Sequence, residues 1–464
     1  MAENVVLDSA PSPSHTGDMD VLNCIPEATV LRLPEQLEAF RRDESHIVGD
    51  MPLAVVKPHG PAALRELVRL AKGEGLALVP RGTGTGKAGG CTPLGRAIVV
   101  DMGEWPGAIQ VSHSDMALTA PVSAMLRDVK AAALAERLFY APDPNSWDQC
   151  SFGGTLATNA GGPCAAKYGM TRHWVLSVDA LMEDGEIHTF GIPTVKNNAG
   201  PNLAQLLIGS EGIFGIMTRA TVRLMPRPTQ HLTLLLPVKE WRALLDLPAA
   251  LLAAGYLPSA FEFWDPAVLD MVRRFGPEAG RRMPGEALAL LEFDDTSCHS
   301  ETFLEGLLDV LGPVAEELQT ATDEHQREAL WSVRRMTSVV LKEQFPKKIS
   351  EDVVVPRSQV RGFFDQVARA GLPVVAYGHL GDGNLHVNLL AAGETDATIL
   401  NGQLMSIFNA SVSLGGTLTG EHGIGLAKRD AFLALADPFH LQMLRNIKRA
   451  VDPSGIFNPG KVIA

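Results

Sequence analysis

The chain has 464 residues, 46% hydrophobic and 20% charged, with a formal charge of −13. That length needs two or three cores, and the charge leaves no basic excess for a nucleic-acid partner. Five scattered cysteines (Cys24, Cys91, Cys150, Cys164 and Cys298), none in a Cys-x-x-Cys pair, exclude an iron–sulfur cluster of ordinary spacing and suggest a reducing compartment.

Residues 1–20 are polar and rich in Ser and Pro, without a basic-then-apolar signal, and no apolar run approaches a membrane span. The expectation is a flexible tail on a cytoplasmic protein. Pro61 to Lys72 predicts a helix: Leu64, Leu67, Val68 and Ala71 share one face, and Gly73 and Gly75 stop it. A strand, Leu76 to Val79, then runs into Pro80-Arg81-Gly82-Thr83-Gly84-Thr85-Gly86-Lys87-Ala88-Gly89-Gly90. Glycines at this density let backbone N–H groups turn toward one point, as a phosphate or pyrophosphate requires. A Walker loop fails, because Ala88 follows Gly86-Lys87 and Arg81 stands where the first glycine belongs. Gly84, Gly86 and Gly89 fit the dinucleotide G-x-G-x-x-G, but Pro93 and Gly95 forbid the helix that must follow. Ala97 to Val100 is a strand, so the motif is strand–loop–strand.

A second helix is expected over Val122 to Leu138. Ser151 to Gly162 is a second block of small residues, and two such blocks favour a large anionic cofactor. Trp174 to Phe190 reads as a hairpin turning at Asp184-Gly185. Ile208 to Ile216 is a third glycine-punctuated stretch leading into a strand, and Pro226 and Pro228 suggest a boundary. Beyond it, strands are expected at Thr233–Val238, Ala287–Phe293, Asp352–Val355 and Val374–Tyr377. Helices are expected at Trp241–Ala254, Glu301–Leu311, about Glu324–Leu341 and near Val360–Ala370, giving an α+β domain with an antiparallel sheet.

The late chemistry lies in Tyr377-Gly378-His379-Leu380-Gly381-Asp382-Gly383-Asn384-Leu385-His386. A turn at residues 381–384 lets His379 end one strand and His386 begin the next, so the imidazoles converge. Gly420-Glu421-His422-Gly423 adds an acid and a third histidine. Two histidines and a carboxylate leave open positions on a divalent metal, either Zn²⁺ or Mn²⁺. The alternative is a pair of hydrogen-bonded surface turns.

The order of PRGTGTGKAGG, GGTLATNAGG, IGSEGIFGIMT, GHLGDGNLH, GEHGIG and Asn458-Pro459-Gly460-Lys461 resembles the FAD-linked dehydrogenases of D-2-hydroxy acids. These are the D-lactate dehydrogenases, glycolate oxidase catalytic subunits and D-2-hydroxyglutarate dehydrogenases, flavoproteins of the vanillyl-alcohol-oxidase type. The resemblance implies that residues 21–228 form the FAD-binding domain, 229–418 an antiparallel-sheet substrate (cap) domain, and 419–464 a segment packing back on the first. It implies FAD contacts from Pro80, Arg81, Gly82, Thr83, Gly84, Thr85, Gly86, Gly89, Gly90, Pro142, Gly153, Gly154, Thr155, Ala157, Asn159, Glu211, Gly212, Ile216 and Asn458. It implies a divalent metal on His379, His386 and Glu421, His422 as base, and Arg334 of Leu-Trp-x-x-Arg on the substrate carboxylate. Histidine tethers of flavin often lie within the glycine loop and residues 80–90 hold none, so the FAD is expected to be non-covalent. D-lactate or a similar monocarboxylate is favoured, since Arg335, Lys347 and Lys348 are not securely placed as a second cation. The electron acceptor, whether quinone, cytochrome, electron-transfer flavoprotein or oxygen, is unspecified. A substrate change on the same scaffold and a non-catalytic flavin-binding subunit are the alternatives.

Overall fold

The computed structural model describes residues 25–315, 318–321, 323–345, 347–390 and 397–463, and the expected tail at 1–20 lies outside them. Three larger sheets organise these residues, with a two-stranded ribbon pairing Met225–Pro226 and Leu138–Phe139 beside them. In the first, Ala54–Pro58, Ala97–Asp101 and Ala77–Arg81 run parallel, and Ala28–Leu31 caps the edge antiparallel. Helix Pro61–Glu74 buries Leu64, Leu67, Val68 and Ala71 against this sheet and ends at Gly75, whose φ of 62° is the left-handed cap that glycine favours. The second sheet is antiparallel, in the order Gln110–Ser112, Ala117–Pro121, Ile216–Arg223, Val175–Leu181, Ile187–Gly191.

The third sheet has seven antiparallel strands: Gln319–Thr320, Leu232–Val238, Ala287–Phe293, Ala260–Trp264, Val374–His379, Asn384–Leu389 and Ile349–Val354. Alternation assigns its faces. Phe261, Phe263, Leu291, Leu385 and Val387 pack on one side with Phe363, Phe364, Ile407 and Phe408 of helices Val360–Arg369 and Ala397–Ser413. Trp264, Leu288, Leu290, Val375 and Tyr377 pack on the other with Trp331, Val333 and Leu341 of helix Glu324–Gln344. On this second face the polar residues Glu262, His379 and His386 interrupt the apolar surface.

Two expected helices are shorter than their periodicity suggests. The Val122–Leu138 helix spans only Leu126–Ala135, because the Val122 N–H donates to Thr218 and its carbonyl accepts from Gly153. The Trp241–Ala254 helix divides into Trp241–Leu244 and Leu247–Ala253, with Pro248 opening the second piece. After the third sheet the chain returns to the first core through Leu441 of helix Pro438–Val451 and through Ile456, Phe457 and Ile463. Phe457 pairs with Leu78 in parallel, extending the first sheet by one short bridge.

Candidate active site

The glycine loop joins two parallel strands with no helix between them. Among the described residues, the main-chain N–H groups of Thr83 to Cys91 donate no hydrogen bond, which is the condition of a cradle built for an anion. Gly84 and Gly89 hold φ values of 78° and 75°. The Arg81 guanidinium lies against Gly84, where an added Cβ would stand 2.2 Å from it, and it donates to Cys91 Sγ and to the carbonyls of Arg42 and Ala39 while resting over Phe40, tying the loop to the segment before it.

Of the other candidate FAD residues, Gly154, Glu211, Gly212 and Asn458 adjoin this loop directly. Ser151 caps helix Phe152–Thr158 by accepting from Gly154 N–H, and a Cβ on Gly82 would stand 2.3 Å from its Oγ. A Cβ on Gly153 would meet Val122 at 2.6 Å, so this helix sits hard against the second sheet. The Thr155 hydroxyl is buried and donates to the Phe152 carbonyl, and Ala157 accepts from Glu211 N–H. Asn159, with φ 52°, ends the helix and accepts from Arg172 N–H. Pro142 lends its carbonyl to Lys130, and Ile216 begins the central strand of the second sheet. Glu211, also at positive φ, accepts from Ile424 and Gly425 N–H, and Gly212 presses on Pro80. Asn458 Nδ2 donates to both Gly90 and Glu211 carbonyls, tying the returning segment to the loop. Unengaged loop amides, glycines where a Cβ would clash and this bracing fit a pyrophosphate-bearing cofactor.

The second constellation lies on the imidazole-bearing face of the third sheet. His379 pairs in register with Asn384 and Tyr377 with His386, so the two histidines are diagonal neighbours on one face. Their Nε2 atoms are 3.4 Å apart. Glu421 Oε1 lies 3.7 Å from His379 Nε2, 3.5 Å from His386 Nε2 and 3.8 Å from His422 Nε2. One ligand atom each from His379, His386 and Glu421 falls within 4.8 Å of the others, a spacing that a shared ion with bonds of roughly 2.0–2.2 Å would close.

Sequence reasoning missed the carboxylates behind these groups. Glu262, fully buried, is cross-strand from His379 and takes its Nδ1 at 2.6 Å, while its other oxygen accepts from Arg334 Nε. Burial works against its charge, yet Arg334 and His379 hold its carboxyl down at about 2. Burial also disfavours charge on His379, but Glu262 and Glu421 overcome it and raise that imidazole to about 10. Among the described residues no carboxylate engages His386 as Glu262 engages His379, and burial holds it down at about 3. Burial opposes charge on Glu421 too, but the three histidines hold it near 2.

Asp352, fully buried and cross-strand from His386, does more. Its Oδ2 accepts from the backbone N–H groups of Gly420, Glu421 and His422 at 3.0, 2.8 and 2.9 Å. Its Oδ1 accepts from Lys428 Nζ and lies 3.2 Å from His422 Nδ1. One carboxylate thus folds the Glu421-His422 turn and orients the second imidazole, with Gly423 supplying φ 86°. Burial resists its charge, yet His422 and Lys428 keep it ionised far below the usual carboxylate range. Arg334 is buried, over the Tyr377 ring at 5.0 Å; only its Nε is bonded among the described residues.

Residues 52–191 match the family described as FAD binding domain, and residues 227–462 the family described as FAD linked oxidases, C-terminal domain. The chain is 30% identical over 413 residues to the D-lactate dehydrogenase of Archaeoglobus fulgidus, covering 88% of this chain and 91% of the relative. It is 29% identical over 457 residues to the D-2-hydroxyglutarate dehydrogenase of Xanthomonas citri pv. viticola, covering 96% of each. The 4-ethylphenol oxidase from Gulosibacter chungangensis superposes with a TM-score of 0.75 over 98% of each chain at 17% identity. No helix among the described residues is long and apolar enough to cross a membrane. The unengaged glycine loop, the antiparallel second domain and these matches together make the chain a member of the FAD-linked D-2-hydroxy-acid dehydrogenases, on a vanillyl-alcohol-oxidase-type fold.

Proposed function

We propose that this protein oxidises a D-2-hydroxy acid to the 2-oxo acid, and that residues 21–228, 229–418 and 419–464 act as FAD domain, cap and returning segment. The observation that carries the reading is the pairing of His422 Nδ1 with Asp352 beside the cluster of His379, His386 and Glu421. An imidazole bonded to a carboxylate through Nδ1 keeps its proton there and leaves the Nε2 lone pair free. Nε2 faces Glu421, so His422 is aimed to take a proton from a hydroxyl held at the cluster. Arg334, fixed through Nε by Glu262, presents the rest of its guanidinium to the substrate carboxylate. Glu262 orients Arg334 and His379 together, so carboxylate and hydroxyl subsites share one anchor.

Non-covalent FAD, held by the residues of the glycine loop and the 151–162 block, supplies the hydride acceptor. His379, His386 and Glu421 would hold a Zn²⁺ or Mn²⁺ ion, which when bound would supply a Lewis acid for the α-hydroxyl. A quinone, cytochrome or electron-transfer flavoprotein would take the electrons onward.

The test is anaerobic bleaching of the flavin by a panel of D- and L-2-hydroxy acids. The expected result is reduction by D-enantiomers alone. Reduction by an aryl alcohol or sugar and by no 2-hydroxy acid would move the chain to another chemistry on this scaffold.

A further inference from the structure

The segment that returns to the first domain carries Lys461, a lysine only 1% exposed. Its Nζ has no hydrogen-bond partner among the described residues. Burial brings this ammonium down to about 8, with Cys91 and Glu211 pulling the other way. Asn458, earlier in the same segment, is also fully buried. Its Nδ2 is spent on the Gly90 and Glu211 carbonyls, which fixes the amide, and its Oδ1 is left without a donor. Each unanswered polar group costs folding free energy, a cation most of all. A donor and an acceptor left open in one short segment call for a bound group that answers both.

Contacts on either side of Lys461 fix where it stands. A Cβ on Gly460 would come 3.0 Å from Leu94 Cδ1, and Val462 N–H donates to the Gly425 carbonyl at 3.1 Å. Gly425 presses on the glycine loop in turn, since a Cβ there would stand 2.1 Å from the Ala88 carbonyl oxygen. That oxygen accepts from Leu426 and Ala427 N–H. Lys461 is therefore pinned at the Ala88–Cys91 end of the loop. The same end adjoins the turn that carries Glu421 and His422. Glu211 bridges the two, for its carboxylate lies 2.8 Å from a Cβ added to Gly90 and 2.9 Å from one added to Gly423. Hydride transfer from a substrate held at the imidazole cluster needs the flavin ring within contact distance, so the ring belongs at this end and the pyrophosphate nearer Gly82. The donor count agrees. A pyrophosphate offers only acceptors and would leave Asn458 Oδ1 unanswered, whereas the pyrimidine edge of a flavin alternates carbonyl oxygens with a ring N–H.

Resting on the reading of the glycine loop as the FAD site, we propose that Lys461 meets the carbonyl edge of the flavin ring and is the charge that stabilises the ring's reduced form. When the substrate Cα–H bond breaks, the hydrogen leaves with its electron pair for flavin N5, and the hydroxyl proton goes to His422. The ring thereby gains one negative charge, spread over N1 and the C2 carbonyl oxygen. An ammonium fixed at that edge and shielded from water favours the charged ring more than a solvated one would. Lys461 thus sets how readily the flavin is reduced, while Arg334 and His422 act on the substrate.

The test uses sulfite, which adds its lone pair to flavin N5 and places the same negative charge on the ring without any hydroxy acid. The parent, Lys461→Met and Lys461→Gln are loaded with FAD, and sulfite dissociation, midpoint potential and flavin content are measured. Methionine keeps the length and removes the charge. Glutamine removes the charge but keeps a donor, and it holds the test open should the methionine variant misfold. Both variants should retain FAD and bind sulfite roughly 10- to 150-fold more weakly, the worth of one hydrogen bond to a charged group. For the same factor the two-electron potential should fall by about 30–65 mV. Sulfite affinity within about threefold of the parent in flavin-loaded Lys461→Gln, well short of that range, overturns the assignment. Variants that melt like the parent apoprotein but take up no FAD place the ammonium on the pyrophosphate and overturn it as well. Either result leaves the oxidation of 2-hydroxy acids standing. A parent that takes up no FAD overturns the reading of the loop and this inference with it.

Discussion

Asp352→Asn isolates the orienting carboxylate with little change of shape. The backbone N–H groups of residues 420–422 all donate to Oδ2, so the amide oxygen of the variant settles there and its NH₂ takes the place of Oδ1. That NH₂ faces two former donors, Lys428 Nζ and His422 Nδ1. His422 then accepts at Nδ1, carries its proton on Nε2 and can no longer act as a base. Removing a general base costs roughly 10²–10⁴ in rate, and inverting a tautomer in a comparable triad costs about 10⁴. Stability falls less, because Lys428 keeps Glu351 at 2.9 Å. Loss of one charged hydrogen bond costs about 1.5–3 kcal/mol, or roughly 3–12 °C in melting for a domain of this size. The assay is stopped-flow flavin reduction under anaerobic conditions, with substrate dissociation, flavin content and melting measured in parallel. The expected pattern is a collapse of the reduction rate with flavin content kept and substrate affinity changed by less than about tenfold. A reduction rate within about threefold of the parent, far below the range for a lost base, would refute the orienting role and the assignment of His422.

His386→Ala and Glu421→Ala should lose metal and activity together while retaining FAD, as chelation of the parent should, with recovery when Zn²⁺ or Mn²⁺ is returned; full activity in protein free of stoichiometric metal would remove the ion. Because His379 is raised to about 10 without metal, metal uptake should release a proton and tighten as pH rises toward that value, which calorimetry in two buffers would check. Acid or heat denaturation followed by filtration should release the flavin, whereas colour that stays with the precipitate would reveal a covalent bond. Glu292 is drawn down to about 2 by His231, Arg327 and Trp331 against the cost of burial. Its stabilisation is therefore complete above the unfolded value of roughly 4.3 and lost as pH falls toward 2; Glu292→Gln should be less stable at pH 7 and lose less over that acid window in denaturant titrations.

Local signals carried much of the fold into view. Helix Pro61–Glu74 has its proline start and glycine stop, and strand Ala287–Phe293 and helix Glu301–Leu311 match their expected bounds. Strand Ala260–Trp264 went unread because Glu262 breaks an otherwise apolar run, and that same acid is the anchor of Arg334 and His379. Helix Ala397–Ser413 has apolar residues scattered around it, which blurs its periodicity. Helix Pro438–Val451, with its Asp437 cap and Pro438 in the first turn, carried a signal that was open to reading. The histidines were legible because glycines fix the turns beside them. Their carboxylates were not, since Glu262 stands 117 positions from His379 and Asp352 stands 70 from His422. Only strand pairing brings such residues together.

The tie from Asn458 to Gly90 spans 368 positions of sequence, and it has a consequence for biosynthesis. The loop emerges from the ribosome early, but its brace follows only after the whole third sheet has been made. At roughly 5–20 residues per second the interval is about 20–70 s. Throughout that time the nascent first domain lacks Asn458, the strand pairing at Phe457 and the apolar contacts of Ile456 and Ile463. If this loop holds the flavin as proposed, stable cofactor loading should wait until translation has passed the second domain, and a chain truncated before Ile456 should be isolated with less flavin than the full chain.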